Sequence, residues 1–308
     1  MLATHFPGIR TIVLDRNYGF TGGYNRAMAR LLSGPGPRPE YLILLNSDIL
    51  VEPGWLDRLT DYMDTHPECG VCGPKLLALT HKDGAYIQTD RLEYAGAAGG
   101  YIDRFGYPFC RGRVLSRTDV DGPGYSSVKD VLWVSGACLM TRASLWEESG
   151  GLDERFFAHM EEIDYCWRAQ LAGHRVRVVP SSRVWHLGGG TLPRTSATKL
   201  RLNYRNGLLL LDNNLAPTIG RFKARVRIIT RLVLDDCSAL VYLLVGKTDF
   251  CGSVFRAHRE YRRLRKVPHK AASRNGDVRG VAPVCIILQS LLRGERIFDY
   301  LRRYEDSH

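Results

Sequence analysis

The sequence predicts an α/β protein with a doubly wound sheet, followed by a basic helical tail. Apolar runs with the length of strands alternate with segments of helical periodicity over residues 1–217, which is the pattern of such a sheet. The formal net charge of +11 is concentrated after that point, with 19 Lys and Arg against 9 Asp and Glu in residues 218–308 and 24 against 23 before them. We therefore expect one globular domain over 1–217 and a basic amphipathic helical tail over 218–308.

The first 80 residues contain three predicted strands and two predicted helices. Residues 9–14 (IRTIVL) form a short apolar run that predicts a strand, and the glycine-rich stretch 17–25 (NYGFTGGYN) is expected to precede a helix. The run YLILLN at 41–46 has the nearly continuous apolar character of a central parallel strand covered on both faces. Pro53 suits the first turn of the next helix, and CGVCGPKLL at 69–77 predicts the third strand.

The rest of the domain repeats this alternation after an irregular segment. Residues 80–130 are rich in Gly, Tyr and Arg without a clear period, so they are expected to form irregular or short antiparallel structure over one face. The other predicted elements are a strand in VLWVSGACLMTR that ends near Thr141, helices at 143–150 and 161–172, a strand in RVRVVP followed by VWHLGGGTL, and a helix at 197–213.

The tail combines apolar and basic residues in a helical pattern. Its first part, RFKARVRIITRLVL, places an apolar set near one face and Arg221, Arg225 and Arg231 elsewhere, which suits a helix lying on an anionic membrane. The basic cluster YRRLRKVPHK is of a kind that binds anionic headgroups. A solvated basic face packed on the domain is an equal alternative. Nucleic acid is less favoured, because no recognised nucleic-acid motif accompanies the charge. The apolar set is Phe222, Val226, Ile229 and Val233.

Two classes of segment are not found in the sequence. The N-terminus has no basic stretch followed by an apolar run, so we see no secretory signal. No run of about 18 apolar residues predicts a membrane-spanning helix. Of the eight cysteines, only Cys69 and Cys72 have the spacing of a metal knuckle, and no second pair completes a site. We expect buried thiols in a protein of the reducing cytoplasm.

Asp48 follows the apolar run YLILLNSD at the end of a predicted strand. In an open α/β sheet, ligands bind beyond the carboxyl ends of the strands. A carboxylate in this position is also suited to capping the next helix, so Asp48 alone does not identify a site.

Three further features are expected near the same edge of the sheet. Gly22 and Gly23 allow close approach of a ligand to the backbone, or form a simple turn. Three carboxylates, those of Glu161, Glu162 and Asp164, open a helix, where one of them can serve as a general base or all can be ordinary helix electrostatics. His186 ends an apolar strand ahead of three glycines, which favours a ligand over a purely structural histidine.

Together these residues resemble the family 2 glycosyltransferases, especially the bacterial rhamnosyltransferase-like branch. The resemblance rests on GFTGGYN, LLNSD, WVSGACLMTR, EEIDYCWR and VWHLGGG, in the family's order, and covers about residues 9–215. It implies a nucleotide-sugar-binding α/β domain of the GT-A type. It also implies transfer of a sugar from a nucleoside diphosphate to an acceptor hydroxyl, with inversion at the anomeric carbon.

The resemblance also implies a divalent metal on the diphosphate. Asn46-Ser47-Asp48 occupies the family's Asp-x-Asp position, so Asp48 would be the principal ligand and Asn46 would add a carbonyl oxygen or a water contact. His186 resembles a further metal ligand of some members. Oxygen ligands suit Mg²⁺ or Mn²⁺, and an imidazole favours Mn²⁺. The expected donor-binding residues are Gly22, Gly23, Asn25, Ser47, Lys199 and Arg205, although the last two are equally suited to be solvated helix charges.

Glu162 matches the position of the family's catalytic base, where many members have Asp. It would take the proton of the acceptor hydroxyl as that hydroxyl attacks the sugar. Glu161 and Asp164 resemble orienting residues beside the acceptor. Trp133, with the Ser135-Gly136 turn, resembles the strand end that lines the acceptor pocket.

The chain departs from the family at its N-terminus. A strand-helix-strand unit of roughly 40–50 residues normally precedes the strand matched by IRTIVL and holds the nucleoside, and nothing before Ile9 supplies it. The expected fold is therefore N-terminally truncated, through a late start codon or a natural truncation. We expect a metal-dependent, inverting enzyme at the inner face of the cell membrane that moves a sugar, with rhamnose as the first candidate, to a lipid-linked or polysaccharide acceptor. The alternative is a weak or inactive remnant that binds membrane or partner proteins through its tail.

Overall fold

The computed structural model describes residues 2–188, 196–269 and 276–306. In chain order its strands are β1 Tyr41–Leu45, β2 Ile49–Val51, β3 Cys69–Lys82, β4 Ala85–Leu92, β5 Gly100–Ile102, β6 Pro108–Cys110, β7 Arg113–Val114, β8 Arg117–Thr118, β9 Lys129–Asp130, β10 Cys138–Arg142 and β11 Arg175–His186. Its helices are α1 Leu2–His5, α2 Gly19–Ser33, α3 Trp55–Thr65, α4 Ala143–Ser149, α5 Glu161–Leu171, α6 Ala197–Ile219, α7 Arg221–Leu244, α8 Thr248–Leu264, α9 Ile286–Arg293 and α10 Ile297–Asp306.

The main sheet has seven strands in the order β1-β10-β3-β11-β2, with β4 paired to β3 and β9 paired to β11. Strands β3 and β11 are parallel, whereas β10 runs antiparallel to both β1 and β3. As a result β1, β3 and β11 all point the same way. A second, antiparallel sheet has the order β5-β6-β7-β8 within the segment that lacked a clear period.

Helices cover both faces of the main sheet, which confirms the predicted α/β class. On one face, Leu59 and Met63 of α3 pack against Cys69, Cys72 and Met140. On the other face, a larger apolar cluster joins α2, α4, α5 and α6 to the sheet. Cys69 and Cys72 are free, buried thiols, and burial raises the pKa of Cys69 to about 12. This environment agrees with the expectation of plain buried thiols.

Two of the strand predictions are wrong in detail. Residues 9–14 form no strand, and Val13 is 80% exposed. A strand needs a neighbour to complete its hydrogen-bond ladder, and among the described residues the outer edge of β1 has none. β1 lies at the edge of the described sheet and is antiparallel to its neighbour β10. It is therefore not a central parallel strand. Two of its apolar residues are nevertheless buried, with Leu42 at 2% and Leu44 at 0% exposed.

Three boundaries also differ from the predictions. Helix α2 begins at Gly19, so the glycines of GFTGGYN lie inside its first two turns. Strand β10 begins only at Cys138, since the preceding VLWVS is a buried irregular segment. Strand β11 continues without interruption to His186, which lies at its last position.

The C-terminal helices pack onto the rest of the molecule. Helix α6 runs across residue 217, and α7 and α8 pack against it and against each other. Residues of α9 and α10 form an apolar cluster with the second sheet, joining Phe109 and Val114 to Ile286, Ile297 and Leu301. In the described parts of the chain, no helix combines the length and the apolar character needed to cross a membrane.

Candidate active site

The turn Asn46-Ser47-Asp48 directly follows β1 and is tied to two other elements. The Asn46 amide donates to the Ala137 carbonyl at 2.9 Å, just ahead of β10. The Leu187 amide donates to the Asp48 carbonyl at 3.1 Å, just beyond β11. Because β1 and β11 run in the same direction, their carboxyl ends meet at one edge of the sheet. The sequence expectation of a site at this edge therefore has a topological basis.

His186 brings the side chains of this edge together. Its Nε2 lies 3.3 Å from Asp48 Oδ1 and 3.4 Å from the side-chain amide of Asn46. Its Nδ1 lies 3.5 Å from Glu93 Oε1. Burial by itself lowers the pKa of His186, but the carboxylates of Glu93 and Asp48 outweigh it, so the pKa is raised overall.

Glu93 is a site residue that the sequence analysis missed. It follows β4, is only 3% exposed, and accepts a hydrogen bond on Oε2 from the Ala95 amide. A Cβ on Gly188, which has a φ of +47°, would lie 2.7 Å from Glu93 Oε1, so only glycine fits beside this carboxylate. No motif surrounds Glu93 in the sequence, and it joins the site only because β4 folds back along β3.

The donor set at this edge fits a divalent cation whose remaining ligands would be oxygens of a bound diphosphate. The Asp48 carboxylate and the Asn46 side-chain amide each lie within 3.4 Å of His186 Nε2. Over residues 2–188, 196–269 and 276–306, no group of three or more His, Cys, Asp or Glu side chains is placed to hold a metal ion. Such an ion would therefore need phosphate oxygens to complete its shell, which is a common arrangement for Mg²⁺.

Glu162 lies on the first turn of α5, next to the same edge. A Cβ built on Gly136 would lie 3.5 Å from the Cβ of Glu162. Gly136 immediately precedes Ala137, whose carbonyl accepts the hydrogen bond from the Asn46 amide. Burial raises the pKa of Glu162 well above its ordinary value, against the opposing effect of backbone amides at the helix start. Its Oε2 is buried without a hydrogen-bond partner. This carboxylate can accept a proton near neutral pH.

Its neighbour Glu161 is also buried, at 5% exposed. Burial, and then the charge of Glu162, raise the pKa of Glu161. Two buried carboxyls in this setting disfavour double ionisation. An orienting role of Glu161 towards an acceptor stays a prediction.

The structure places three of the predicted acceptor-binding residues in the core. Trp133 is 2% exposed and donates its indole N–H to the Tyr101 carbonyl at 3.1 Å, so it is a core residue. Ser135 is 4% exposed and packs against Gly96, where a Cβ would come within 2.5 Å of it. Asp164 is fully buried. Its carboxylate is paired with Arg168 at 2.8 Å and accepts from two asparagine amides of α6. Gly136 stays a candidate, since it borders Glu162.

Three of the predicted donor-binding residues are buried or hydrogen-bonded within the chain. Asn25 uses both ends of its amide on the backbone of Leu152, at 2.8 and 2.9 Å. Arg205 is 7% exposed and donates to the Phe156 carbonyl at 2.6 Å. Gly22 is buried inside α2, where a Cβ would meet the Arg26 guanidinium at 2.9 Å. The polar groups of Asn25 and Arg205 are thus engaged by backbone outside their own helices.

The other predicted donor contacts stay predictions. Ser47 is exposed at the turn, Gly23 has open space where a Cβ would be, and Lys199 lies in the first turn of α6. The remaining glycines of VWHLGGG, residues 189 and 190, lie outside the described residues.

A cavity of about 680 Å³ lies at a different place in the molecule. Glu68, Asp130, Arg177 and Arg279 are among its lining residues, and Arg177 lies near the start of β11. His186 is nine residues further along that strand, about 30 Å away at the usual rise per residue. The cavity therefore does not belong to the site around Asp48.

Comparison with known proteins adds a family relationship to this geometry. The sequence pattern of a family described as "Glycosyltransferase like family 2" matches residues 2–207. The chain is 28% identical over 211 residues to the N-acetylglucosaminyl-diphospho-decaprenol L-rhamnosyltransferase of Mycobacterium tuberculosis, a match that covers 67% of each protein. It is 26% identical over 186 residues to the rhamnosyltransferase WbbL of Escherichia coli K12, covering 60% of this chain and 66% of that protein.

Among solved structures, the chain resembles GalNAc-T7 crystallised with UDP, GalNAc and Mn²⁺. The match has 15% sequence identity and a TM-score of 0.45, and it covers 65% of this chain and 35% of that one.

Proposed function

This chain belongs to glycosyltransferase family 2, and from that premise we propose that it is a metal-dependent, inverting enzyme of cell-surface glycan synthesis. It transfers a sugar from a nucleoside diphosphate to a hydroxyl of a lipid-linked or polysaccharide acceptor. The observation that carries the proposal is the convergence of Asp48, Asn46 and His186 at one edge of the sheet. Beside that edge lies the Glu162 carboxylate, whose buried Oε2 has no hydrogen-bond partner.

Rhamnose is our candidate for the sugar. Two relatives with matches over 60% or more of this chain are named rhamnosyltransferases, and one of those names specifies a decaprenol-linked acceptor. We carry the sugar and the lipid-linked acceptor class over from these names. The chain's own residues support the diphosphate donor independently, since their donor set matches a cation that bridges phosphate oxygens.

On the donor side, Asp48, Asn46 and His186 would hold Mn²⁺ or Mg²⁺. The bound ion would neutralise the negative charge that develops on the departing nucleoside diphosphate. Glu93 Oε1 lies beside the other ring nitrogen of His186, Nδ1. Its charge would keep Nε2 directed at Asp48.

On the acceptor side, Glu162 takes the proton of the attacking hydroxyl. The new bond forms between that oxygen and the anomeric carbon while the bond from this carbon to the phosphate oxygen breaks. A single displacement of this kind inverts the anomeric centre. Burial serves the base, because it raises the proton affinity of Glu162 towards the working pH.

Replacement of the base tests the proposal. The wild-type chain, assayed with a panel of nucleoside-diphosphate sugars and Mn²⁺, should transfer one of them. Glu162→Gln should lower kcat by about 10²–10⁴-fold, because it removes the proton acceptor. Metal-dependent nucleotide binding, measured by calorimetry, should stay within a factor of about two. Glu154→Gln is the matched control. Glu154 is an exposed glutamate that forms an ion pair with Arg26 and accepts a hydrogen bond from the Asn25 side chain. Normal transfer by Glu162→Gln would remove Glu162 from the mechanism.

The enzyme works, in our proposal, at an anionic membrane surface to which helix α7 binds. Six apolar side chains at helical spacing are between 49% and 81% exposed on this helix: Phe222, Val226, Ile229, Val233, Leu240 and Leu244. They lie within about 60° of one another on a helical projection and extend over about 33 Å. We call this set the α7 stripe. Exposed basic side chains flank its first turns, namely Arg221, Lys223 and Arg225.

A membrane suits the α7 stripe better than a solvated face does. A row of exposed apolar side chains of this length is unusual on a soluble protein that leaves it in water. The adjoining basic residues complement acidic lipid headgroups. A lipid-linked acceptor would lie in the same plane, so membrane binding would bring the enzyme to its substrate.

A further inference from the structure

The residues that lead into α5 form a strained loop. Phe157, His159 and Met160 have φ angles of +65°, +71° and +70°, in the left-handed region that side chains with a Cβ rarely adopt. Such a backbone conformation is strained and persists only where the surroundings enforce it. Met160 is the N-cap residue of α5, and Glu162 follows two residues later. The strain is therefore located at the segment that fixes where Glu162 lies. We call residues 156–160 the presentation loop.

Side chains and backbone from two helices hold the carbonyls of this loop. The Asn206 side-chain amide reaches the carbonyl oxygens of Phe156, Ala158 and His159 at 3.1, 2.8 and 2.7 Å. The carbonyl of Phe157 accepts from the amides of Phe20 and Thr21, at the start of α2, at 3.1 and 3.4 Å. Four consecutive carbonyls thus have partners outside the loop.

Asn206 is itself fixed in this position. It is fully buried on α6, and its Oδ1 accepts from Arg205 Nε at 2.8 Å. Arg205 adds a second donor to the Phe156 carbonyl at 2.6 Å. These hydrogen bonds account for the burial of Arg205 and Asn206 on α6. A solvated or phosphate-binding Arg205 would be exposed instead.

From this geometry we infer that Asn206 is a positioning residue for Glu162: its amide keeps the presentation loop in the left-handed conformation that sets the carboxylate beside the sheet edge. Asn206 does not touch the reacting atoms. Without its donors, the loop relaxes towards ordinary backbone angles and carries the start of α5 with it. A displacement of about 1 Å at a reacting group is enough to cost on the order of 10²-fold in rate. The inference rests on the proposed role of Glu162.

Asn214 provides a matched control on the same helix. It is also fully buried, and its amide donates to Asp164 Oδ1 at 2.8 Å and to the Leu210 carbonyl at 3.0 Å. It therefore supports the body of α5 without contacting the presentation loop. Asn206→Ala and Asn214→Ala each remove one buried amide, so a general loss of stability should affect both.

The experiment compares kinetics and loop opening in the two variants. Asn206→Ala should lower kcat by about 10²-fold beyond the effect of Asn214→Ala, with KM for the donor and nucleotide affinity unchanged. Hydrogen exchange at the Phe20 and Thr21 amides should accelerate in Asn206→Ala and stay slow in Asn214→Ala, because these amides bond to the Phe157 carbonyl. If Asn206→Ala does not fold, Asn206→Ser, which keeps one donor, takes its place and should give an intermediate kcat.

Two results would overturn the inference. The first is equal kcat in the Asn206 and Asn214 variants, and the second is a loss confined to KM or nucleotide affinity. Failure of the proposed function gives a different pattern, since the wild-type chain would then transfer no sugar, or Glu162→Gln would stay active. In that case the exchange rates at Phe20 and Thr21 still decide whether Asn206 holds the loop.

Discussion

At the scale of single residues, the site depends on how one histidine is oriented. His186 has a carboxylate on each side, Glu93 towards Nδ1 and Asp48 towards Nε2. A ligating imidazole is commonly fixed by a second group of this kind, and loss of that group typically costs 10–100-fold in metal affinity. In the proposed metal site, Glu93 would orient His186 without being a ligand itself.

We predict that Glu93→Gln weakens Mn²⁺-dependent nucleotide binding by about tenfold or more, because the neutral amide no longer holds the ring by charge. Titration calorimetry with the nucleoside diphosphate, with and without Mn²⁺, measures the effect directly. Glu154→Gln again serves as the control. Equal affinities in the Glu93 variant and the wild type would show that His186 needs no support from this carboxylate.

At the scale of elements, helices α5 and α6 are joined by a buried polar network around Asp164. Its carboxylate receives Arg168 Nε and the side-chain amides of Asn213 and Asn214, all at 2.8 Å. A motif reading places Asp164 next to a ligand, but the helical repeat turns it towards α6, two residues on from Glu162. The sequence shows an acidic helix start without showing which of its carboxylates faces the site.

The consequence is a stability effect. We predict that Asp164→Ala lowers the free energy of unfolding by about 3–5 kcal/mol, because it leaves Arg168 buried without its partner. Denaturant unfolding followed by circular dichroism measures the change. Glu154→Ala, which breaks an exposed pair with Arg26, should cost less than about 1 kcal/mol. A stable Asp164 variant with a raised KM for the acceptor would instead restore the acceptor-binding role.

Strand predictions failed where pairing, rather than composition, decides the outcome. IRTIVL and YLILLN are both apolar runs, yet only the second pairs with β10 and becomes a strand. Likewise the glycines of GFTGGYN are typical of a loop. Hydrogen bonds from the Phe20 and Thr21 amides to the Phe157 carbonyl nevertheless allow helix α2 to begin at the first of them, Gly19. Local patterns contain no information on such distant partners.

At the scale of the whole molecule, the charge asymmetry of the sequence corresponds to a division of surfaces. Helices α6, α7 and α8 pack together beside the sheet, and some of the basic side chains are buried in ion pairs. Arg231, for example, is buried against Asp235 and the Gly106 carbonyl. The α7 stripe and its flanking basic residues lie outside, as do basic side chains of α8 such as Arg259, Arg262 and Arg263. The tail is thus both part of the folded body and a candidate membrane surface.

We predict that replacing Val226, Ile229 and Val233 together with Ser weakens binding to vesicles of mixed phosphatidylglycerol and phosphatidylcholine by about tenfold or more, since apolar burial drives insertion. Vesicle sedimentation measures it, and binding should also weaken with added salt. A variant with Tyr86→Ser and Ile87→Ser, two exposed apolar residues of β4, is the control.

Equal binding of both variants would contradict the assignment of the membrane surface to α7. A dimer in size-exclusion chromatography that only the triple substitution dissociates would show that the α7 stripe is instead an interface between two copies of this chain.

The sequence by itself determined the α/β class, most helices, the family and the residues at the ends of β1 and β11. These follow from periodicity and from motifs whose residues are close in the chain. Tertiary structure alone decided that Glu93 joins His186, that Asp164, Arg205 and Trp133 belong to the core, and that Asn206 holds the presentation loop. The physical reason is that burial and hydrogen-bond pairing depend on distant segments: the amide of Asn206 lies some 50 residues from the carbonyls it holds, and no local pattern shows that they meet.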